Sequence, residues 1–395
     1  MIKVLIIGAG FLQSFVIKKA KEMGYITLAV DADPNAVGFK YADKYKVINI
    51  VDEEACLAFA KEENIDGVLT AATDYGVLTA AYISEKMNLP GIPYKVAQLI
   101  KNKYLVRKCL FENKVDDTEE AYEINADTDL NIIKNKLKYP VMVKPCDGSG
   151  SRGASRVDMP EHLENACKYA MEGSITHRAE IETFITGIEY GAETLVTNGK
   201  VHVLSIMKKW MTEPPYYAEL GHAIPCGLPV EIESKAIKCV EAAVKALGVI
   251  SGSVNMDMLI TEDGNVHIID IGARMGGNMI GPCIVPYGTG FNYIENMLRN
   301  AVGDNINLEC KEHESVATKL IAFNHSGIIK NLPDFNEIEE KYDVEIYHHL
   351  HLNDEVREYH TNLDGCGYII AKRESVDVAE KDAARVLKLL DKILF

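Results

Sequence analysis

Over its first hundred positions the chain alternates short apolar runs with stretches of helical spacing. Residues 3–8 and 26–31 read as strands with a helix at 12–23 between them, and 45–50, 53–63, 67–70 and 77–87 continue as strand, helix, strand and helix. This alternation predicts a small, doubly wound α/β unit with a parallel sheet. Pro90-Gly91-Ile92-Pro93 breaks the pattern and places the end of a first, Rossmann-like domain near residue 98. From 99 to 303 the pattern is mixed, α+β in character, with strands at 139–145 and 267–271 among Gly-rich turns. A small carboxy-terminal domain is expected over 304–395, with strands near 316–323 and 367–371 and an amphipathic helix at 378–393.

Composition changes this picture little. With 395 residues, 47% hydrophobic and 25% charged, the chain has the make-up of a globular protein and the length of two or three domains. Apolar runs such as Val4-Leu5-Ile6-Ile7 are far short of a membrane span, and Met1-Ile2-Lys3 leads straight into a strand, so no signal peptide is expected. A net charge of −16 argues against nucleic acid, which needs a concentrated basic face, but not against a small anion held by a few placed cations. Nine cysteines, an odd number with no Cys-x-x-Cys, predict reduced thiols and a cytoplasmic location.

Gly8-Ala9-Gly10-Phe11-Leu12-Gln13 follows a strand and opens a helix, and Asp31 ends the next strand, as in a dinucleotide fingerprint. Gln13, however, stands where a third glycine would let helix and strand pack beside a pyrophosphate. A tight turn holding a substrate carboxylate or phosphate at the helix end is the better expectation, and NAD the weaker one.

Four features farther along carry more chemistry together than apart. Lys103 opens a helix, Lys144 ends a strand, and Cys146-Asp147-Gly148-Ser149-Gly150-Ser151-Arg152-Gly153 follows at once. A Gly/Ser loop offers backbone N–H groups to phosphates without Cβ obstruction, and a strand-end lysine reaches the same anions as a point charge. In the stretch from Glu180 to Glu189, backbone groups near Phe184 and Ile185 could read a base while Glu189 accepts from ribose hydroxyls. Finally, Asp257 and Asp270 flank the turn Glu262-Asp263-Gly264-Asn265, which should make them antiparallel neighbours with both carboxylates on one face. Unpaired, two such acids would repel; beside a triphosphate they suit Mg²⁺.

In this order, Lys103, Lys144, the Gly-rich loop, Glu182 to Glu189, Asp257, Asp270 and Arg274 resemble the ATP-grasp superfamily. The likeness is to the branch with biotin carboxylase, carbamoyl phosphate synthetase, the purine-pathway ligases and the L-amino acid ligases, and it covers residues 1 to about 300. It implies an ATP-grasp fold with a mobile lid at about 114–190. It puts Lys103 and Lys144 on the ATP phosphates, with Gly148, Ser149, Gly150 and Ser151 in the loop over them. Glu182 and the backbone at Phe184 and Ile185 would hold adenine, Glu189 the ribose, and Asp257 and Asp270 magnesium, with Mn²⁺ as a substitute. Lys144 and Arg274 would be catalytic, the arginine sitting over the transferred phosphoryl group. The family's last strand usually reads acid-x-Asn-x-Arg; here Gly272 replaces the Asn that commonly supplies a third metal ligand.

Glu219 and His222 match the spacing of an acid and an imidazole that line the amino-acid pocket of L-amino acid ligases. They would receive an α-ammonium group and manage the proton released on amide formation, with Arg274, Gly276 and Gly277 on the substrate carboxylate; the bland alternative is an exposed loop. The resemblance thus implies an ADP-forming carbon–nitrogen ligase joining a small carboxylate to an amine through an acyl phosphate, without nucleic acid or membrane partners. The resemblance makes a homodimer one possible assembly, since superfamily members often are dimers. The rivals are a purine-pathway ligase such as phosphoribosylglycinamide synthetase, an NAD-dependent oxidoreductase, and a non-catalytic nucleotide-binding regulator. His348-His349-x-His351 lacks nearby acids in a defined geometry and is assigned a structural or surface role.

Overall fold

The computed structural model describes residues 1–116, 118, 120–148, 153–214 and 216–395. Its first layer is a parallel sheet ordered β3-β2-β1-β4, built from β1 (Lys3–Ile7), β2 (Ile26–Asp31), β3 (Lys44–Val47) and β4 (Gly67–Thr70). The apolar run of β1 is continuous because both faces are covered. Val4 and Ile6 pack with α1 (Phe11–Glu22), whereas Leu5 and Ile7 pack with α2 (Glu53–Glu63) and α3 (Val77–Met87). Asp52 starts α2 by accepting the Ala55 N–H at 3.0 Å. β3 is shorter than its sequence suggests, being an exposed edge that pairs only with Leu28–Asp31.

The polar side chains of the glycine turn after β1 are engaged within the protein. The Asp31 carboxylate already accepts the Ala9 N–H at 2.8 Å and the Asp33 N–H at 3.0 Å. Gln13 is buried, donates to the Ala71 carbonyl at 2.5 Å, and lies against Gly8 and Gly10 of the turn.

Two helices, α4 (Tyr94–Ile100) and α5 (Lys103–Glu112), lead to a four-stranded antiparallel sheet ordered β5-β8-β6-β7. Its strands are β5 (Tyr122–Ile124), β6 (Val141–Pro145), β7 (Ser155–Val157) and β8 (Ala179–Thr183). The helix Leu163–Glu172 covers Val141, Val143 and Ile181 on one face. Strand alternation therefore turns Met142, Lys144, Glu180 and Glu182 to the other.

That polar face meets an eight-stranded sheet ordered β13-β12-β9-β10-β11-β14-β18-β16. Its strands begin with β9 (Ile188–Thr197), β10 (Lys200–Met211), β11 (Glu219–Ile224), β12 (Gly252–Ile260), β13 (Val266–Gly272) and β14 (Ser315–Leu320). β15 (Gly327–Ile328) and β17 (Glu355–Val356) form a separate ribbon, while β16 (Glu345–His348) and β18 (Gly367–Arg373) complete the large sheet. The large sheet thus runs unbroken from the central region into the carboxy-terminal one. The helices Val230–Leu247 and Val376–Leu394 pack on it. Among the described residues no helix is long and apolar enough to cross a membrane.

Candidate active site

The gap between the small and large sheets gathers the charged residues. Asn102 caps α5 by accepting the Leu105 N–H at 3.1 Å, and the Lys103 N–H donates to the Cys146 carbonyl at 2.7 Å, so the helix start is tied to the end of β6. Lys144 Nζ lies 2.6 Å from Glu182 Oε1 and donates to the Ile269 carbonyl at 3.0 Å. That carbonyl is available because the β12–β13 register slips. Asp257 pairs with Asp270 and Met258 with Ile268, which leaves Ile269 without a cross-strand partner.

Arg107 on α5 occupies the other side of Glu182, with Nε 3.1 Å from Oε2, while its Nη1 lies 3.0 Å from Asp116 Oδ2 and its Nη2 donates to the Ile268 carbonyl. Although burial pushes it up, Lys144 and Arg107 hold the Glu182 carboxyl below its ordinary value. Both Glu182 oxygens are engaged, and the Phe184 N–H donates to the Pro140 carbonyl at 3.2 Å. The Ile185 backbone follows in the connection to β9. Glu180, on the same face as Glu182, is buried with neither carboxylate oxygen hydrogen-bonded among the described residues, and burial and Glu182 push its carboxyl up to about 7.

Asp257 and Asp270 are cross-strand neighbours, but they are not left as two bare acids. Lys103 forms an ion pair with Asp270, and Lys209 Nζ lies 2.8 Å from Asp257 Oδ1. The expected mutual repulsion is thus already relieved by lysines. Lys209, on β10, is the hub of the site: its buried ammonium also lies 2.5 Å from Glu189 Oε1 and 2.7 Å from Glu219 Oε1. Glu189, Glu219 and Asp257 present oxygens within 4.8 Å of one another. Three carboxylates exceed one ammonium in charge. Burial, with Asp257 and Glu219 beside it, pushes Glu189 up to about 7 despite Lys209. Though burial opposes it, the three acids hold Lys209 well above its ordinary value.

A pH dependence of stability follows. Burial raises Glu180, Glu189 and Glu193 from 4.5 to about 7, so each contributes stability that is present below 4.5 and lost as pH rises through about 7. His222 works the other way: burial lowers it from 6.5 to about 4, and its contribution falls away only below 6.5. Lowering the pH from about 8 to about 6.5 should therefore raise the thermal midpoint of the metal-free protein, measured by calorimetry in EDTA. A midpoint that fell over this window would contradict the burial of these carboxyls.

Arg274 joins the first sheet to the aspartate hairpin. Its Nη2 donates to Asp74 Oδ2 at 3.2 Å, its Nη1 donates to Asn255 Oδ1 at 3.4 Å, and its Nε lies 3.0 Å from Asp74 Oδ1 without hydrogen-bond alignment. Asn255 faces Gly272 across the ladder, and a Cβ on Gly272 would stand 2.8 Å from Arg274 Nη1. The guanidinium therefore occupies the space into which a larger side chain at 272 would project. Lys101, Lys103, Gly148, Asp257, Asp270 and Arg274 border a polar cleft with about 520 Å³ of empty space. Ser149, Gly150 and Ser151 lie outside the described residues.

At the other end, Glu219 and His222 sit on strand β11 and not on an exposed loop. Glu219 accepts from Asn278 Nδ2 as well as from Lys209. His222 is buried; among the described residues its Nδ1 has no hydrogen-bond partner, and its Nε2 is 3.8 Å from Glu219 Oε1, beyond hydrogen-bond reach. Burial lowers the imidazole to about 4, with Lys209 acting in the same direction and Glu219 against it. The Gly276 N–H donates to both oxygens of buried Glu193 at 3.2 Å, so it is engaged within the protein, whereas a Cβ on Gly277 would make only an ordinary contact with Leu12 at 3.8 Å. His348 stacks on Phe335 at 3.8 Å and exposed His351 bonds Asp354, as structural and surface residues do.

Residues 137–282 match the family model of the ATP-grasp domain. The chain carries an ATP-grasp domain. Around that domain, the chain is 23% identical to the uncharacterized protein y4rH of Sinorhizobium fredii over 91% of its length and 76% of that protein. It is 32% identical to the formate-dependent phosphoribosylglycinamide formyltransferase of Methanocaldococcus jannaschii, over 47% of this chain and 48% of that one. The chain thus spans about half the length of the formyltransferase relatives it matches. Among solved structures, phosphoribosylglycinamide synthetase from Anaerococcus prevotii superposes with a TM-score of 0.78 at 26% identity, covering 100% of this chain and 98% of that one. L-amino acid ligase from Bacillus licheniformis superposes at 0.83 and 24% identity, with the same coverage, and shows the shared ATP-grasp fold.

Within this ATP-grasp domain and its flanks, sequence reasoning missed Lys209, Arg107, Glu180, Glu193, Asn255 and Asp74. Lys209 carried a signal, standing in Lys208-Lys209-Trp210 on an alternating strand before Glu219. Asp74 carried none, since its partner Arg274 is 200 residues away.

Proposed function

We propose that the chain is an ATP- and Mg²⁺-dependent ligase that activates a small carboxylate as an acyl phosphate and joins it to an amine. The observation that carries this reading is the convergence of Lys103, Lys144, Lys209, Asp257, Asp270 and Arg274 around one gap between the sheets of an ATP-grasp domain. The carboxylates of Asp257 and Asp270, cross-strand neighbours on the hairpin, are oxygen ligands of the kind taken by Mg²⁺. Asp257 and Asp270 would hold that ion, which when bound supplies charge neutralisation at the transferring phosphoryl oxygens.

Lys103 and Lys209, tied to those aspartates in the free protein, would turn to phosphate oxygens, and Glu189 would accept from ribose hydroxyls. A carboxylate oxygen of the substrate attacks the γ-phosphorus, the bond to the β,γ-bridging oxygen breaks, and ADP leaves. An amine then attacks the acyl carbon, and phosphate departs with one former carboxylate oxygen. The protein contributes position and charge, with Arg274 aimed by Asp74 and Lys144 held by Glu182.

An amino acid is the favoured substrate. Glu219, whose own carbonyl accepts from Tyr359 at 2.5 Å, sets a carboxylate at one end of the site where an α-ammonium group would bind. The full-length likeness to phosphoribosylglycinamide synthetase favours a second reading, in which the amine is a phosphorylated ribosylamine. A phosphate-release screen of amino-acid pairs against ribosylamine phosphate separates the two. We expect equimolar ADP and phosphate with amino acids; turnover confined to the ribosylamine would transfer the assignment to the second reading, and no turnover with any carboxylate would sink both.

A further inference from the structure

We infer that Glu193 is a positioning residue that aims Arg274, by fixing which way the Asn255 amide faces and by seating the turn that follows the arginine. The inference rests on the ligase reading above and adds how the arginine is held from inside the large sheet. Glu193, Asn255 and Gly272 stand side by side on β9, β12 and β13, because Asn255 pairs with Glu193 on one flank and with Gly272 on the other. Cross-strand partners share a face of the sheet, and Arg274, folded over Gly272, completes the row.

Glu193 is 0% exposed. Its Oε2 accepts from Asn255 Nδ2 at 3.0 Å, its Oε1 from the Tyr293 hydroxyl at 2.5 Å, and both accept from the Gly276 N–H at 3.2 Å. Burial raises its carboxyl to about 7, so at about pH 8 it is ionised and offers acceptors only. Facing an acceptor, the Asn255 amide turns its NH2 to Glu193, which leaves Oδ1 for Arg274 Nη1 at 3.4 Å. The reverse orientation would set an amide donor against the guanidinium. The turn is seated as closely: a Cβ at Gly276 would stand 2.8 Å from Glu193 Oε2 and 2.9 Å from Asn255 Nδ2. Asp74, on the loop after β4, holds the other side of the guanidinium. An apolar side chain would fill the sheet interior at less cost than a buried carboxylate, which points to orientation as what this acid contributes.

The test is steady-state ADP release at about pH 8, with the carboxylate that supports it. Glu193→Gln keeps the shape but brings a second NH2 against that of Asn255, or turns the Asn255 NH2 on Arg274. Its kcat should fall at least about tenfold while KM for MgATP changes less than about twofold. Adding Asn255→Asp puts an acceptor back between the new amide and Arg274, and should raise kcat at least about threefold above that of the single variant. Lost packing would not be recovered by a second substitution elsewhere. Asn255→Ala, which cuts the row at its middle, should show the same split and decides the matter if Glu193→Gln does not fold. A wild-type kcat in Glu193→Gln or in Asn255→Ala, or a double variant that misses the threefold gain, overturns the inference. Absence of carboxylate-dependent ADP release in the wild type overturns instead the ligase reading on which it stands.

Discussion

Replacing Lys209 with methionine is expected to lower stability by about 3–5 kcal/mol at neutral pH and to abolish turnover. Methionine keeps most of the side-chain volume, so the effect isolates the charge. Without the ammonium, Glu189, Glu219 and Asp257 remain within 4.8 Å of one another and have no cation among them. Removing one partner of a buried ion pair costs far more than the pair contributes, because a charge is stranded in a poorly solvated place. The loss should shrink as the pH falls towards about 6, where the stranded carboxyls take up protons, and should shrink again when Mg²⁺ is added. Urea unfolding at two pH values, with and without Mg²⁺, checks all three effects. A loss under about 1 kcal/mol at neutral pH would show that Lys209 is not the cluster's counter-charge.

Asp270→Asn should behave in the opposite manner. Its side chain is 43% exposed and its ion pair with Lys103 lies at the cleft edge, so stability should change by no more than about 1 kcal/mol. ADP formation should nevertheless fall by at least about 10²–10³-fold, because the position contributes to neutralising charge that develops in the transition state. Asp257→Asn should match it in activity. A steady-state assay of ADP with a melting curve on the same sample separates the two quantities; near-normal ADP formation by either variant would remove these aspartates from the mechanism.

Much of this was legible in the residue order. The strands and helices of the first hundred residues follow from apolar runs and caps, and the helices over Glu53–Glu63 and Val77–Met87 form where the spacing places them. The pairing of Asp257 with Asp270 follows from the turn between them, since hairpin register is set by loop length. What was not legible is the set of long-range charge partners. Sequence spacing places acids on a face but does not say that Lys209 and Lys103 already neutralise them. Nor does it say that Glu182 is saturated while Glu180 is bare, because that depends on Arg107 arriving from another helix. Gly272 looks like a lost metal ligand until Arg274 is seen folded over it. Likewise Glu219 and His222 are near neighbours in sequence on one strand, yet it is burial, helped by Lys209, that lowers the imidazole against the pull of Glu219.

The central claim is that a carboxylate oxygen attacks the γ-phosphorus of ATP. With whichever acid supports ADP release, the carboxylate is labelled with ¹⁸O and the released phosphate is analysed by mass spectrometry. One labelled oxygen in each phosphate is the predicted result. Phosphate free of label would mean that water, not the acid, received the phosphoryl group, and that no acyl phosphate forms in this cleft.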